Sequence, residues 1–564
     1  MEENKVSIIS LGGRGEVGNN MIVLENKEDI IILDAGVLFP DEDKYGIDLI
    51  IPDISYLLDR KDKIRAMIFS HGHEDHIGAI PYIFELINPP LYGTDLTIGL
   101  IESKLEDAGL REKAELHSIG SKKNYERIKL NSFEIEFCHV NHSIPGCVAM
   151  GIRTDAGLIV YTGDYKFDQT PVSNPQTDYE KLASWGQEGV LALLGDSTNS
   201  EHDGHTLSEM VVSKALEESF RLNRSRIIIA TFSSNVERIQ QIANASIKSG
   251  RKMAINGRSM ANTIGIARDL NYLDFPDDLI VSIEEANKLA PEKVVLLMTG
   301  SQGEYRAALS RVARGEHRSI SIKPGDTIYL SSSPIPGNEK AIGEIINQLY
   351  SKGAEVMYGG MLDLHASGHA CQEEIKMMIN LTKPKFVIPV HGEFRHLHHH
   401  AQLAKKAGIP KENIVIAING DKIDLSSDSA QIVEQIETGE LYIEGRQISD
   451  TGDIVLNDRR RLSENGFFNI FITMDSERNN LGEIKFLSRG FVYNKESNKL
   501  INQAKEVVNK TLEKSKEKNI NDLSDIKKKI YESLNKYFYE ETNRSPLILI
   551  EIIELAEVEA PALV

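Results

Sequence analysis

Residues 71–76, with the sequence His-Gly-His-Glu-Asp-His, limit what this chain can fold into more than any other feature of it. They lie between residues 66–70, a run typical of a buried strand, and residues 77–87, typical of the apolar face of a short helix. The side chains therefore fall on a strand-to-helix turn, where alternate residues can converge on one point. Three imidazoles and a carboxylate, without a thiolate, suit zinc or manganese. A His-rich surface turn is the less specific interpretation.

Three later strand-like segments each end in a further potential ligand. His142 follows the alternating residues 133–140, Asp164 follows residues 157–163, and His391 follows residues 385–390. Taken singly, such a residue is more often an ordinary polar side chain than a ligand. As an ordered set behind residues 71–76, the three predict a metal centre.

This ordered set resembles the metallo-β-lactamase superfamily, in which two metal ions lie at the edge of a β-sandwich. The resemblance implies one ion on His71, His73 and His142, a second on Asp75, His76 and His391, and Asp164 as the bridge between them. It also implies that Asp34, in the turn 33–36, supports the histidine loop from behind the ligands. A plain Asp-x-Gly turn is an equally good interpretation of Asp34.

Residues 13–18 fit the G-x-G-x-x-G pattern of dinucleotide-binding proteins and follow a strand-like segment. A dinucleotide site would need a helix next, whereas residues 20–24 and 29–33 have the pattern of strands. We therefore predict a hairpin turn in a β-sandwich at these glycines.

The length of 564 residues is too great for one core and predicts roughly three to four domains. The 226 residues between Asp164 and His391 are more than the superfamily fold needs, and strands alternate with helices inside them, which favours an inserted parallel sheet. The predicted fold class is α/β: an αββα metallo-β-lactamase sandwich with an inserted α/β domain and a small C-terminal α+β domain. The predicted boundaries are 1–204 and 359–434 for the sandwich, 205–358 for the insert, 435–462 for a linker and 463–564 for the C-terminal domain.

Small polar clusters follow three strand-like segments of the insert, at 233–235, 300–303 and 331–333. Ligands of parallel α/β sheets bind beyond the carboxyl ends of the strands, and hydroxyl and backbone N–H donors suit phosphate. Each cluster alone is better explained as a turn or a helix cap, but three at three strand ends favour a phosphate-binding edge.

Such an insert, followed by His365-Ala366-Ser367-Gly368-His369 and Pro389-Val390-His391-Gly392-Glu393, resembles the β-CASP nucleases and, in its details, the bacterial ribonuclease J family. The resemblance implies a two-metal phosphodiester hydrolase with 5′-to-3′ exonuclease activity on 5′-monophosphorylated RNA and endonuclease activity, acting in RNA maturation, rRNA processing and mRNA decay. One departure is Tyr305-Arg306, which stand where the family pattern has a proline-led pair.

The family pattern also assigns roles to residues of this chain. His369, held by Asp196, is implied to protonate the leaving 3′-oxygen. The residues implied to hold backbone phosphates and the 5′-monophosphate are Ser233, Ser234, Asn235, His365, Ala366, Ser367, Gly368 and His369. A structural calcium is implied on Gly46, Asp48 and Glu444, whose oxygen ligands suit that ion, although acidic loops usually bind nothing. By the same resemblance, the C-terminal domain supports a homodimer or homotetramer, with a paralogue or an RNA-degradation complex as further partners.

The formal net charge of −20 is unusual for a protein that would grip RNA. Residues 205–358, however, contain 19 Lys and Arg against 17 Asp and Glu, so the insert carries +2 and the rest of the chain −22. Local charge can differ from global charge. We expect a restricted channel for single-stranded RNA and not an open basic platform.

Several features point to a cytoplasmic protein without a membrane segment. The first residues lead directly into a strand-like run, which leaves no room for a signal peptide. No apolar run approaches the roughly 18 residues of a membrane span. Cys138, Cys147 and Cys371 form no C-x-x-C pair, and a disulfide framework is not expected.

Three alternatives remain open from the sequence. A non-catalytic RNA-binding scaffold paralogue should have lost some ligands, whereas all seven positions are filled here. A small-molecule hydrolase would not need the insert. A β-CASP DNA nuclease would carry the same residues, and the sequence does not distinguish DNA from RNA.

Overall fold

The structure of the protein is a computed structural model, which describes residues 4–41, 44–121, 124–335, 337–449, 452–475, 481–491, 497–518, 520 and 522–555. The chain divides into two compact units, Met1–Phe39 with Asp48–Ile448 and Pro40–Ile47 with Ser449–Val564. Within the described residues, no helix has both the length and the apolar character that a membrane crossing requires.

Two sheets face each other in the larger unit. One has eight strands in the spatial order Ala430–Gln435, Asp421–Leu425, Val6–Gly12, Met21–Glu25, Ile30–Leu33, Ile64–Ile68, Leu91–Gly93 and Leu116–Ser118. The other has six strands in the order Ile128–Leu130, Phe133–His139, Val148–Thr154, Gly157–Tyr161, Val190–Asp196 and Phe386–Val390. One continuous apolar core joins them: Ile8, Leu24 and Ile31 of the first sheet are buried with Ile135 and Leu194 of the second.

Helices cover the outer faces of this sandwich. They are Ser55–Leu58, Glu74–Ile77, Ile80–Ile87, Asp95–Ala108, Tyr179–Glu188, Gln372–Thr382 and Phe394–Lys406. A second apolar cluster lies under them and includes Ile83, Ile101 and Trp185. The arrangement is the predicted αββα sandwich, and the apolar residues on both faces of most strands follow from this double coverage.

The glycine-rich loop 13–18 is a hairpin turn, as predicted. Val6–Gly12 pairs antiparallel with Met21–Glu25, with Ile8 opposite Leu24. Gly13 and Gly18 have φ values of 86° and 110°, a conformation that side-chain-bearing residues rarely adopt.

The insert contains a separate five-stranded sheet in which all strands are parallel. Its spatial order is Lys252–Asn256, Val294–Met298, Ile227–Ala230, Thr327–Leu330 and Glu355–Met357. Its helices are Glu209–Leu222, Val236–Ser249, Arg258–Asp269, Ile283–Ala286, Ala308–Arg314 and Glu339–Ser351. The chain leaves the sandwich after Val190–Asp196 and returns at Phe386–Val390, two strands that are parallel neighbours. The sandwich and the inserted domain are thereby joined at adjacent strand ends.

Residues 435–462, predicted as a linker, contain regular structure. Glu440–Glu444 pairs with Leu49–Pro52 and with Gln447–Ser449, and the helix Asp453–Asn465 follows. The two-stranded sheet Gly120–Ser121 with Asn124–Tyr125 completes the described strands outside the C-terminal region.

The C-terminal unit has a three-stranded sheet. Phe467–Asp475 is central, antiparallel to Leu481–Arg489 and parallel to Leu547–Leu555. The helices Ser497–Glu517 and Leu523–Thr542 pack on one face of this sheet, where Phe468 and Ile470 meet Phe538.

Candidate metal centre

Parallel pairing brings three predicted residues to one edge of the six-stranded sheet. Gly157–Tyr161, Val190–Asp196 and Phe386–Val390 are parallel neighbours, so their carboxyl ends meet at the same edge. Asp164 and His391 lie just beyond two of these strands, and Asp196 is the last residue of the third.

The facing sheet contributes the His-rich turn in the same way. Ile30–Leu33 and Ile64–Ile68 are parallel neighbours, and they lead into Asp34 and residues 71–76. The short helix Glu74–Ile77 begins inside the motif, and His71, His73 and His76 all belong to side-chain groups that include Asp164.

Three imidazoles form the first potential ligand group. His73 Nδ1 lies 3.0 Å from both His71 Nε2 and His142 Nε2. Burial lowers the pKa of His73 to about 4, and burial, followed by neighbouring imidazoles, lowers the pKa of His71 and His142 well below the usual value. Neutral rings have a lone pair to offer, and three ring nitrogens directed at one point cannot satisfy each other with protons. A divalent cation fits this donor set.

Asp75, His76 and His391 form the second group, with Asp164 shared between the two groups. Asp164 Oδ2 lies 3.3 Å from His76 Nε2 and 3.6 Å from both His71 Nε2 and His142 Nε2. His391 donates from Nδ1 to Asp164 Oδ1 at 2.7 Å, while its buried Nε2 has no hydrogen-bond partner. Burial lowers the pKa of His391, but Asp164 and then Asp75 raise it to about 10. The structure thus brings all seven predicted ligands together, with a carboxylate placed to bridge.

Asp34 lies directly behind this second group and is completely buried. Its Oδ1 accepts from the Ser70 N–H at 2.7 Å, and its Oδ2 accepts from Ser70 Oγ at 2.8 Å, from Tyr161 at 2.7 Å and from His76 Nδ1 at 2.8 Å. The bond from Nδ1 leaves His76 Nε2 facing Asp164. Asp34 is therefore more than a plain turn residue, because it fixes which nitrogen of His76 faces the centre.

His369 and Asp196 lie beside the two groups. His369 donates from Nδ1 to Asp196 Oδ2 at 2.8 Å, and the same nitrogen is 3.9 Å from Asp164 Oδ2. Burial lowers the pKa of His369, but Asp196 and Asp164 outweigh it and raise the pKa above the usual value. The preceding Gly368 carbonyl accepts from His142 Nδ1 at 2.6 Å, so one segment contacts a ligand and carries His369.

The residues predicted to hold phosphate differ in burial and in hydrogen bonding. Ser233 and Ser234 are half-buried ahead of the helix Val236–Ser249, whereas Asn235 is buried and its side chain accepts from the Arg238 N–H as the helix cap. Ala366 is buried, and Ser367 Oγ accepts from Asn199 at 2.8 Å. His365 has a buried Nδ1 without a hydrogen-bond partner.

Some supporting residues were missed by the sequence reasoning. Asn199 holds the segment that carries His369, through Ser367 and through the His369 carbonyl at 3.0 Å. Arg238 is completely buried and donates to Glu209 Oε2 at 2.9 Å, to Ser331 and to the Leu364 carbonyl. Asn199 had a signal, because it lies three residues after Asp196, which the sequence had singled out. Arg238 had none, because a helical arginine is usually exposed.

The predicted calcium ligands are only partly brought together. Asp48 accepts from the Gly445 N–H at 2.8 Å, next to Glu444, which lies in a strand paired with Leu49–Pro52. Gly46 belongs to the other compact unit. The groups with metal-ligand spacing among the described residues all lie at the Asp164 centre, so the calcium stays a prediction.

The histidines at 396, 398, 399 and 400 are on the helix Phe394–Lys406 and not in the metal centre. His400 is buried against Gly195 and lies 3.0 Å from Ser197 Oγ, while His398 is exposed.

Four segments of the chain match known protein families. Residues 14–194 match the metallo-β-lactamase superfamily, 224–349 the ribonuclease J β-CASP domain, 355–416 the Zn-dependent metallo-hydrolase RNA specificity domain and 454–555 the ribonuclease J C-terminal domain. With the clustered His and Asp ligands, these matches define a divalent-metal-binding hydrolase of the metallo-β-lactamase superfamily with a β-CASP insert and an RNA specificity domain.

The chain belongs to the ribonuclease J family. It is 41% identical to ribonuclease J 1 of Streptococcus pyogenes, over 97% of this chain and 98% of that protein. It is 39% identical to ribonuclease J2 of Bacillus subtilis, over 98% of this chain and 99% of that protein. A solved protein of unknown function from Enterococcus faecalis aligns with a TM-score of 0.52 at 17% identity, covering 75% of this chain and 100% of its own, which supports the fold alone.

Proposed function

We propose that this protein degrades single-stranded RNA from 5′-monophosphorylated ends in the 5′-to-3′ direction and also cuts RNA internally, with two divalent ions, zinc or manganese, in each chain. The observation that carries the proposal is the pair of ligand groups that share Asp164, with His369 and Asp196 beside them. A scaffold protein would have no need for seven intact ligands next to a paired acid.

We assign one ion to His71, His73 and His142 and the other to Asp75, His76 and His391, with Asp164 contacting both. When bound, two such ions would supply an activated hydroxide for attack on phosphorus and would stabilise charge on the attacked phosphate. The protein contributes the orientation of the ligands: Asp34 aims His76 and the Gly368 carbonyl aims His142.

His369 is the proposed general acid. Its Nδ1 donates to Asp196, so Nε2 is the nitrogen that can deliver a proton to the leaving 3′-oxygen. Its raised pKa favours the protonated ring, which is the form that a general acid requires. Departure of the 3′-oxygen leaves a 3′-hydroxyl on the upstream product and a 5′-phosphate on the downstream product.

The terminal phosphate pocket is proposed from residues at the edge of the insert. Ser233 and Ser234 offer hydroxyl groups at the amino end of a 14-residue helix, where backbone N–H groups and the helix dipole favour an anion. His365, with its unpartnered buried Nδ1, and Ser367 lie on the segment that also carries His369. A pocket for one phosphate close to the acid explains a preference for monophosphorylated ends.

The test compares one RNA with a 5′-monophosphate or a 5′-triphosphate and a DNA of the same sequence, with the full-length protein and manganese or zinc. We expect mononucleotides from the monophosphorylated RNA. His73→Ala should lose both metal and activity, His369→Ala should keep metal and lose activity, and His398→Ala, on an exposed helix face, should behave as wild type. Intact RNA beside degraded DNA would contradict the proposal in favour of a DNA nuclease.

Oligomerisation through the C-terminal unit is a further part of the proposal. The sheet face opposite the helices exposes Leu487, Leu549 and Ile553, each more than two-fifths accessible. Such an apolar surface suits a partner sheet in a homodimer or homotetramer, or in a complex with a paralogue. Sedimentation of wild type and Leu549→Lys checks this: the variant should shift toward monomer.

A further inference from the structure

Tyr305 is exposed and yet held in place. Its side chain is 70% accessible, although its ring lies over the guanidinium group of Arg314, at 3.9 Å from the ring centroid. Arg314 also donates to the Tyr305 carbonyl at 2.8 Å and to Glu316 at 2.9 Å. One face of the ring is therefore covered by a fixed cation, and the ring remains open to solvent elsewhere. An exposed aromatic ring that is fixed in advance loses little entropy when a flat ligand stacks on it.

Tyr305 follows the carboxyl end of a parallel strand, the edge at which such sheets bind ligands. Val294–Met298 leads into residues 299–306, and Gln302 ties this loop to the end of Thr327–Leu330 through Ser332 Oγ at 3.0 Å and the Ser333 carbonyl at 2.8 Å. Ser331 directly follows the strand Thr327–Leu330. Arg238 donates to Ser331 and to the carbonyl of Leu364, the residue immediately before residues 365–369. A continuous set of contacts thus connects the Tyr305 loop to the segment that carries His369.

The same loop also reaches the sandwich beside the His-rich turn. Arg306 Nη1 lies 3.6 Å from Asp48 Oδ1. Asp48 lies two residues before Ile50, which pairs with Leu38, and the neighbouring Val37 N–H donates to the Glu74 carbonyl at 3.1 Å. Arg306 is therefore near the rim of the turn 71–76. Its side chain is 89% accessible, which leaves the cation available for a phosphate.

We infer that Tyr305 is a stacking platform for one base of the bound RNA strand, backed by Arg314, and that Arg306 contacts a neighbouring phosphate. A π-face accepts every base, so the platform would add affinity with little sequence preference. The inference rests on the proposed function, because it assumes a single strand passing between the insert and the metal centre.

The experiment measures KM and kcat for release of the first nucleotide from a 5′-monophosphorylated RNA by the full-length, metal-loaded protein. One abasic nucleotide is placed at each successive position of the substrate. The variants are Tyr305→Ala, Tyr305→Phe and Tyr350→Ala. Tyr350 is a matched control: it is also a half-exposed tyrosine of the insert, but it lies at the end of Glu339–Ser351, at the opposite edge of the sheet.

Loss of one stacked base predicts a KM raised about 5- to 100-fold in Tyr305→Ala with kcat nearly unchanged, because the ring is remote from the reacting phosphate. Tyr305→Phe keeps the ring and should stay within about 2-fold of wild type, as should Tyr350→Ala. One abasic position should raise the KM of wild type by the same factor and leave that of Tyr305→Ala unchanged.

A purely structural role for Tyr305 would raise KM without removing the dependence on that abasic position. An unchanged KM, or an abasic penalty equal in wild type and Tyr305→Ala, would overturn the inference while leaving the proposed function intact. If wild type itself fails to degrade the RNA, the proposed function falls and this inference falls with it.

Discussion

Replacing Asp34 with asparagine removes one charge and hardly changes shape, and we expect it to weaken the binding of one metal ion. Four donors converge on the two carboxylate oxygens: the Ser70 N–H and Oγ, Tyr161 and His76 Nδ1. Burial and then Asp34 itself raise the pKa of Tyr161 well above the usual value, so the phenol stays a donor. Asparagine offers one oxygen and an NH₂ group in place of two acceptors.

The NH₂ group has one orientation that fits, in which it faces His76, and this orientation impairs metal binding. If it faces His76, the ring must accept at Nδ1, and the proton of the neutral ring then moves to Nε2. Nε2 lies 3.3 Å from Asp164 Oδ2 and is the proposed metal-binding atom. A protonated nitrogen has no lone pair for a cation. Asp34→Asn therefore prevents His76 from binding the metal, although His76 itself is not replaced.

The expected magnitude is a 10- to 100-fold loss of affinity for the ion on Asp75, His76 and His391, which corresponds to about 1.4–2.7 kcal/mol. The ion on His71, His73 and His142 should change much less, because none of those rings donates to Asp34. Equilibrium dialysis against buffered zinc, followed by elemental analysis, measures both affinities in the full-length protein.

Asp29→Asn is the matched control. Asp29 is also buried and accepts from Arg65 at 2.5 Å and Ser132 Oγ at 2.7 Å, but it contacts no histidine. The control should lose stability and retain both ions. Two ions bound with wild-type affinity in Asp34→Asn would refute the tautomer argument. Equal losses of metal affinity in Asp34→Asn and Asp29→Asn would instead indicate a general effect of losing a buried carboxylate.

Three further predictions follow from contacts around the centre. A Cβ on Gly368 would lie 2.4 Å from His142 Nδ1, so Gly368→Ala should displace that ligand and lower kcat about 100-fold in the RNA assay, and wild-type activity would contradict this. Arg238→Met leaves Glu209 with Lys166 at 3.0 Å as its remaining cation, and should lower the free energy of unfolding by about 3–5 kcal/mol in urea titrations, with part of the loss recovered when Glu209→Gln is added; an unchanged urea midpoint would show that the network is not stabilising. Burial and then Glu209 raise the pKa of Glu237 from its usual 4.5 to about 7, so the folded protein holds a proton that the unfolded chain releases. The stability that protonated Glu237 contributes is present below about pH 4.5 and is lost as the pH rises through 7. Glu237→Gln should remove that decline in stability, by on the order of 1–3 kcal/mol between pH 5 and 8. A parallel decline in both proteins would rule out Glu237 as its cause.

The sandwich, the insert and the side chains that cluster at the Asp164 centre could be predicted from the sequence because each has a local signal. Residues 71–76 combine dense ligands with a strand before and a helix after, and Asp164 and His391 each follow a buried strand. Parallel strand pairing then brings together residues that are distant in the sequence. Gly195 lies opposite Pro389 and Asp196 opposite Val390, although more than 190 residues separate the members of each pair along the chain. The residues that meet at the centre were predictable, but their distances were not.

Contacts of long sequence separation had no signal in single segments. The bond from His142 to the Gly368 carbonyl spans 226 positions, and the bond from Arg238 to the Leu364 carbonyl spans 126. Neither partner has an unusual residue type or spacing. The regular structure within residues 435–462 had no signal for a related reason, since Glu440–Glu444 is a strand only because Leu49–Pro52 supplies its partner.

Two residues of the centre adopt a backbone conformation that favours glycine. Asp34 and His391 have φ values of 61° and 53°, and both follow the carboxyl end of a strand in facing sheets. An ordinary side chain pays about 1–3 kcal/mol for a sparsely populated conformation, so packing and hydrogen bonds must offset it. At Asp34 four donors do so, and at His391 the bond to Asp164 does. Glycine would relieve both backbones and remove the carboxylate and the imidazole. These two strand ends are therefore strained because the site needs a carboxylate and an imidazole at positions where the backbone conformation favours glycine.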